Sequence, residues 1–152
     1  MKTKVKNNYL YTGLGFPVLL DQVEIVLLGN EWHPKIDVRK VANIVIEVLA
    51  AKESPLTGNE VRFVRTHFGM SLRDFANNVV HETHTAVKKW EDKRDEPTKM
   101  NPNTEFVIRN YIIEETSTKS EKKAKYFGRT VQARKFYAQK NSKPITPIVR
   151  CA

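Results

Sequence analysis

The segment Phe75–Trp90, FANNVVHETHTAVKKW, gathers side chains suited to reading a nucleic acid. His84 and Thr85 can both exchange hydrogen bonds with base edges. Lys89 lies one helical turn beyond Thr85, within reach of a guanine edge or a phosphate. Thr83 can cap a helix starting at His84, and its hydroxyl together with the helix N-terminus suits a phosphate oxygen. Lys88 is assigned to the phosphate backbone, as are Ser71 and Arg73 at the start of the preceding helix. Val87 and Trp90 are expected to face inward and fix the angle of the helix. Ala86 is small enough to permit close approach to a groove.

Other chemistries are poorly supplied. His81 and His84 are three positions apart and could share a metal, but no third ligand accompanies them. The single cysteine, Cys151, rules out a disulfide framework and a cysteine-based zinc site. Glu114–Glu115 and Asp92–Asp95–Glu96 read as solvated faces rather than paired catalytic carboxylates. There is no glycine-rich phosphate loop. The expectation is a protein without catalytic residues, metal or cofactor, and not an enzyme.

Three helices must hold these residues in place. In LTGNEV, Thr57 and Glu60 form a capping box, while Leu56 and Val61 form a hydrophobic staple. That predicts a helix over 58–68 with Val61, Val64 and Phe68 inward. MSLRDF repeats the grammar, with Ser71 as cap, Asp74 reciprocating and Met70 set to staple onto Phe75. Leu72, Phe75, Ala76 and Val79 then share one face. A turn near 80–82 precedes the helix capped by Thr83. The stretch 93–103 reads as a loop, and Asn101–Pro102 opens a helix over about 102–115. Its inward side is assigned to Phe106 or Val107, Ile108, Tyr111 and Ile112.

Upstream, residues 9–28 contain β-formers, with FPVLL and VEIVLL separated by Asp21 and Gln22. This predicts a hairpin or short strand pair, ended by GNEWHP at 29–34. Asp37 caps a helix to about Ala51, with Val38, Val41, Ala42, Val45 and Leu49 at helical spacing.

The chain has 152 residues and a formal net charge of +9. Residues 101–152 carry 11 basic against 4 acidic side chains, so most of the excess lies in the last third. A basic excess favours a polyanionic partner. In that third, Lys122, Lys123, Lys125, Arg129, Arg134 and Lys135 are interleaved with Tyr126, Phe127, Phe136 and Tyr137. Such a segment suits nucleic-acid contacts, RNA included, or a helix docked by its aromatics with lysines solvated. A helix is possible over 120–139, and the prolines at 144 and 147 argue for an extended end. No apolar run approaches a membrane span, and the N-terminus does not read as a signal peptide.

LTGNEVRFVRTHFGMSLRDFANNVVHETHTAVKKWED resembles the lambda-repressor-like helix-turn-helix family, also called Cro/CI-type or xenobiotic-response-element. The positions that carry the likeness are Ser71, Phe75, Ala76, Val87, Trp90 and Glu91, with Ala86 where the family has threonine. The lead-in Leu56–Arg65 is similar to that of MqsA-type antitoxins, and YLYTGLG at 9–15 resembles a degraded form of the segment opening such proteins. The turn glycine of the family is absent, and NNVVHETH is one residue longer than the usual spacing, so a remodelled turn is expected. The zinc-binding cysteines are absent, so zinc is not expected.

The resemblance implies a dimer that represses its own operon at a palindromic double-stranded operator and neutralises a toxin protein. The rival readings are an antitoxin that mainly caps a toxin, and a basic RNA-associated protein. The expected fold is α+β and mainly α, with a helix-turn-helix domain preceded by a strand pair and helix. The expected divisions are 1–52, a dimerisation or partner-binding segment, then 56–116, the DNA-binding domain, and 117–152, a basic extension. The helix at 102–115 is a second dimerisation candidate. A cytoplasmic, nucleoid-associated location follows from this reading.

Overall fold

The computed structural model describes residues 2–117 and 147–149. The order is β1 (Thr3–Tyr11), β2 (Val18–Leu28), β3 (Glu31–Pro34), α1 (Val38–Ala51), α2 (Gly58–His67), α3 (Leu72–Phe75), a π turn (Ala76–Val80), α4 (His84–Glu91), α5 (Pro102–Thr116) and β4 (Ile148–Val149). It is a mixed α+β fold dominated by helices, with β1, β2 and β3 preceding them and β4 following. No helix among the described residues is long and apolar enough to cross a membrane. The basic residues Lys122, Lys123, Lys125, Arg129, Arg134 and Lys135, the helix expected over 120–139, and Cys151 lie outside the described residues.

The strand region corrects the sequence reading. Asp21–Gln22 is not a turn; β2 runs unbroken through it and is the centre of the sheet. β1 pairs antiparallel with β2 from Thr3↔Val26 to Tyr11↔Val18, and β3 pairs antiparallel from Ile25↔Pro34 to Leu28↔Glu31. The stretch at 29–34 is therefore a tight turn at Gly29–Asn30 followed by a strand. Asp21 and Gln22 mark a different event. The buried positions of β2 are Val18 and Leu20 before them but Val23 and Ile25 after them, so the inward side changes phase. On β1 the facing region contains Asn8 with φ of 53°, a left-handed conformation that interrupts regular alternation. β4 pairs parallel with β2 at Leu19↔Ile148 and Leu20↔Val149, and buries Val149.

The helices begin where the caps are written. The side chains of Asp37, Thr57, Ser71, Thr83 and Asn101 each accept a backbone N–H from the first turn of the next helix. Both capping boxes form, at Thr57/Glu60 and Ser71/Asp74. One apolar cluster runs from Val18, Leu20 and Val149 of the sheet through Val45 and Leu49 of α1 to Val64, Phe75, Val87 and Ile112.

A buried charged network joins α1, α2 and α5. Arg109, fully buried, donates from Nη1 to the carbonyls of Leu49 and Lys52 at 2.7 Å each, and from Nη2 to Ser54 O at 2.9 Å. It thus satisfies carbonyls at the C-terminal end of α1, which lack helical partners. Glu105, one turn earlier on α5, accepts the Leu56 N–H at 2.7 Å. Lys52 Nζ lies 2.5 Å from Glu60 Oε1, which also accepts the Thr57 N–H at 2.9 Å. Burial lowers the Lys52 pKa, and the neighbouring Glu60 carboxylate opposes that shift. The inward side of α5 is therefore Glu105, Ile108, Arg109, Ile112 and Ile113. Val107 is exposed, which corrects its assignment as an inward residue, and Phe106 and Tyr111 are only half-buried.

Candidate nucleic-acid interface

α4 is amphipathic and short. Its inward side is Val87, fully buried, with Glu91 buried and Trp90 half-buried against the core. His84, Thr85, Lys88 and Lys89 are all exposed. At 3.6 residues per turn these four share one arc, with Lys88 above His84 and Lys89 above Thr85. Thr83 Oγ1 accepts the Ala86 N–H at 3.1 Å, and Thr83 O accepts the Val87 N–H at 3.2 Å. The Thr83 hydroxyl keeps its own proton for donation. Ala86 is half-buried beside this arc.

The preceding turn is built unusually. α3 runs into the π turn Ala76–Val80, and His81 closes it with φ 53° and ψ 44°, its N–H donating to Ala76 O. The Glu82 N–H reaches the same carbonyl at 3.1 Å. A π turn holds one residue more than an α turn, and a left-handed residue ends it. The additional residue of the π turn is wound into the helix, and an exposed histidine takes the left-handed position. Histidine is among the side chains that tolerate it best. The end of the π turn is anchored by buried Val79 and Val80.

Two further contacts fix α4. Arg65 of α2 reaches Glu91 through Nε and Nη2, and donates from Nη1 to Met70 O at 2.9 Å. Gly58, at the start of α2, meets the far end of α4. A Cβ there would stand 2.4 Å from Trp90 O and 2.6 Å from Arg94 N. The loop after α4 also closes the first turn of α2. The Gly58 N–H donates to Glu96 O at 3.2 Å and the Asn59 N–H to Arg94 O at 2.8 Å.

Ser71 and Arg73 are exposed at the start of α3. Ser71 Oγ accepts the Asp74 N–H at 3.0 Å, so its role in the fold is capping. Lys88 is tied to Asp92 one turn on, in an exposed ion pair. That pair was not expected from the sequence, although the spacing of the two residues carries the signal. Among the described residues, His84, Thr85 and Lys89 hold the exposed arc without such a tie. A cleft beside it is lined by Asn59, Arg62, Arg65, Lys88, Glu91, Asp92 and Arg94. Arg62 and Arg94 are exposed there and were missed, because isolated arginines on a helix and in a loop carry no pattern.

No protein-family model matches the chain, and neither a curated protein nor a solved structure matches it.

Proposed function

We propose that the chain is a sequence-specific, duplex-DNA-binding regulator of transcription. In this reading residues 56–116 form a lambda-repressor-like helix-turn-helix unit, with α3 and its π turn first and α4 as the reading helix. The observation that supports it is the joint exposure of His84, Thr85 and Lys89 on one arc of α4, while Val87 and Glu91 hold the other arc in the fold. The major groove admits one α-helix, and side chains of its first turns reach base edges.

His84 and Thr85 then read bases from the first turn, and Lys89 reads one turn deeper. Thr83, Ser71 and Arg73 contact phosphates and set the register. Lys88 can join them at little cost, because an exposed lysine–aspartate pair contributes little stability. No bond is made or broken. The protein acts by occupying its operator, as a dimer on a palindrome, repressing its own operon. A toxin protein as a second partner, and a cytoplasmic location, belong to the same reading.

Selection from a random duplex pool tests it. The expected outcome is one enriched motif in two half-sites about one helical turn, roughly 10 base pairs, apart. A pool that shows no enrichment after selection at physiological salt would overturn it.

A further inference from the structure

The side of the sheet turned away from the helices carries an open apolar surface. Directly paired residues of neighbouring strands point to the same side of a sheet. Leu10 pairs with Leu19, and Leu19 pairs with Ile148, so these three form one row across β1, β2 and β4. Leu10 is 58% and Ile148 56% exposed. Beyond the phase change in β2 the same side continues through Val5, Val26 and Leu28, with Val5 62% and Leu28 53% exposed. Val23 and Ile25, between them in sequence, are buried on the opposite side. Of the seven large apolar side chains exposed among the described residues, four lie here: Val5, Leu10, Leu28 and Ile148. Clustering of this kind marks an interaction surface rather than scattered exposure.

We propose that this surface docks a second copy of the same chain, sheet face against sheet face. Charge decides the occupant. At a formal net charge of +9, most ways of joining two copies bring cations together. On this side of the sheet the charged neighbours are Glu24, Glu31 and Lys35, with Lys35 Nζ 3.9 Å from Glu24. Lys35 offsets one of the two carboxylates and leaves one negative charge per copy, so two copies meet here without bringing cations against cations. The other routes are worse. The outer edge of β1 carries exposed Lys2, Lys4 and Lys6, and pairing two such edges would set lysines beside lysines. α5 commits Ile108, Ile112 and Ile113 to the interior and leaves only Val107, 41% accessible, exposed among its large apolar residues. The exposed arc of α4 is basic. Docking through the sheet supplies the two-fold symmetry that reading a palindrome asks for, yet it is a property of the protein alone.

Sedimentation of the full chain without DNA, from low to high micromolar concentration, tests this. Wild type is expected to dimerise. The Val5→Lys/Leu10→Lys variant should raise the dimer dissociation constant by at least about tenfold, with an unchanged circular-dichroism spectrum. Leu28→Lys, beside the β2–β3 turn, repeats the test without touching β1. Val107→Lys on α5 should dimerise like wild type. So should the His84→Ala/Thr85→Ala/Lys89→Ala variant, so this surface and the DNA reading fail separately. A wild-type chain that stays monomeric throughout would overturn the inference. So would folded sheet variants that dimerise like wild type, or dissociation caused by Val107→Lys.

Discussion

The guanidinium of Arg65 holds both carboxylate oxygens of Glu91, Nε at 2.8 Å from one and Nη2 at 2.9 Å from the other. The side chains are 13% and 7% exposed, so the pair is largely shielded from water. It fixes the angle between α2 and α4. With Nη1 on Met70 O it also ties down the turn before α3.

Removing one partner leaves the other charge buried alone. Glu91→Ala is expected to cost about 3 kcal/mol of stability in denaturant titration. Arg65→Met combined with Glu91→Leu should recover most of that loss, because a well-packed apolar pair avoids the desolvation penalty. A double variant no better than Glu91→Ala would show that the contact matters for geometry rather than for charge.

Gly58→Ala should destabilise, although alanine is the better helix former. The added methyl would meet backbone atoms, Trp90 O at 2.4 Å and Glu91 O at 2.9 Å, which cannot rotate away as a side chain can. Overpacking of this kind costs about 1–3 kcal/mol. A melting temperature equal to or above that of wild type would count against this packing of α2 on the end of α4.

His81 offers a test of the turn. It is exposed and left-handed, so substitution changes backbone preference and little packing. His81→Val should lose about 1 kcal/mol or more, since a β-branched residue resists positive φ. His81→Gly should match wild type or gain up to about 1 kcal/mol, part of the gain being lost to the freer unfolded chain. Equal stability of the valine and glycine variants would contradict the left-handed turn.

His67 gives a pH dependence. Its ring packs with Phe63 and Phe68, at centroid distances of 5.5 Å and 5.1 Å. Burial lowers its pKa below the ordinary 6.5. The native state therefore binds this proton less readily than the unfolded chain. The contribution is fully present above pH 6.5 and is lost as pH falls through the lowered native value. Thermal melts across that range should show a smaller acid-side loss for His67→Phe than for wild type. Parallel curves would remove His67 as the cause.

The helices were legible because their signals are local. Caps at Thr57, Ser71, Thr83 and Asn101 are written within a few residues of the N–H groups they satisfy. The exposed arc of α4 was legible for the same reason. The sheet was harder. β1 is an edge strand whose Lys–Val–Lys alternation looks like a polar lead-in, and its pairing with β2 is set by contacts distant in sequence. The acidic–amide pair Asp21–Gln22 looked like a turn because both residues favour one, yet it sits where the inward side of β2 changes phase. Glu105 and Arg109 were passed over because charged residues are expected outside. Their spacing with Ile108 and Ile112 nonetheless places all four on one stripe of α5. The left-handed His81 carries no local signal, since neither glycine nor asparagine stands at that position.

The most direct measurement is a binding titration with DNA from upstream of the gene and with scrambled duplex, each at two salt concentrations. Wild type is compared with the His84→Ala/Thr85→Ala/Lys89→Ala variant. The account predicts that wild type prefers the upstream DNA. The variant should lose that preference while keeping weak, salt-dependent binding to both duplexes. Equal wild-type affinity for the two duplexes, or a preference that survives in the variant, would contradict reading by α4.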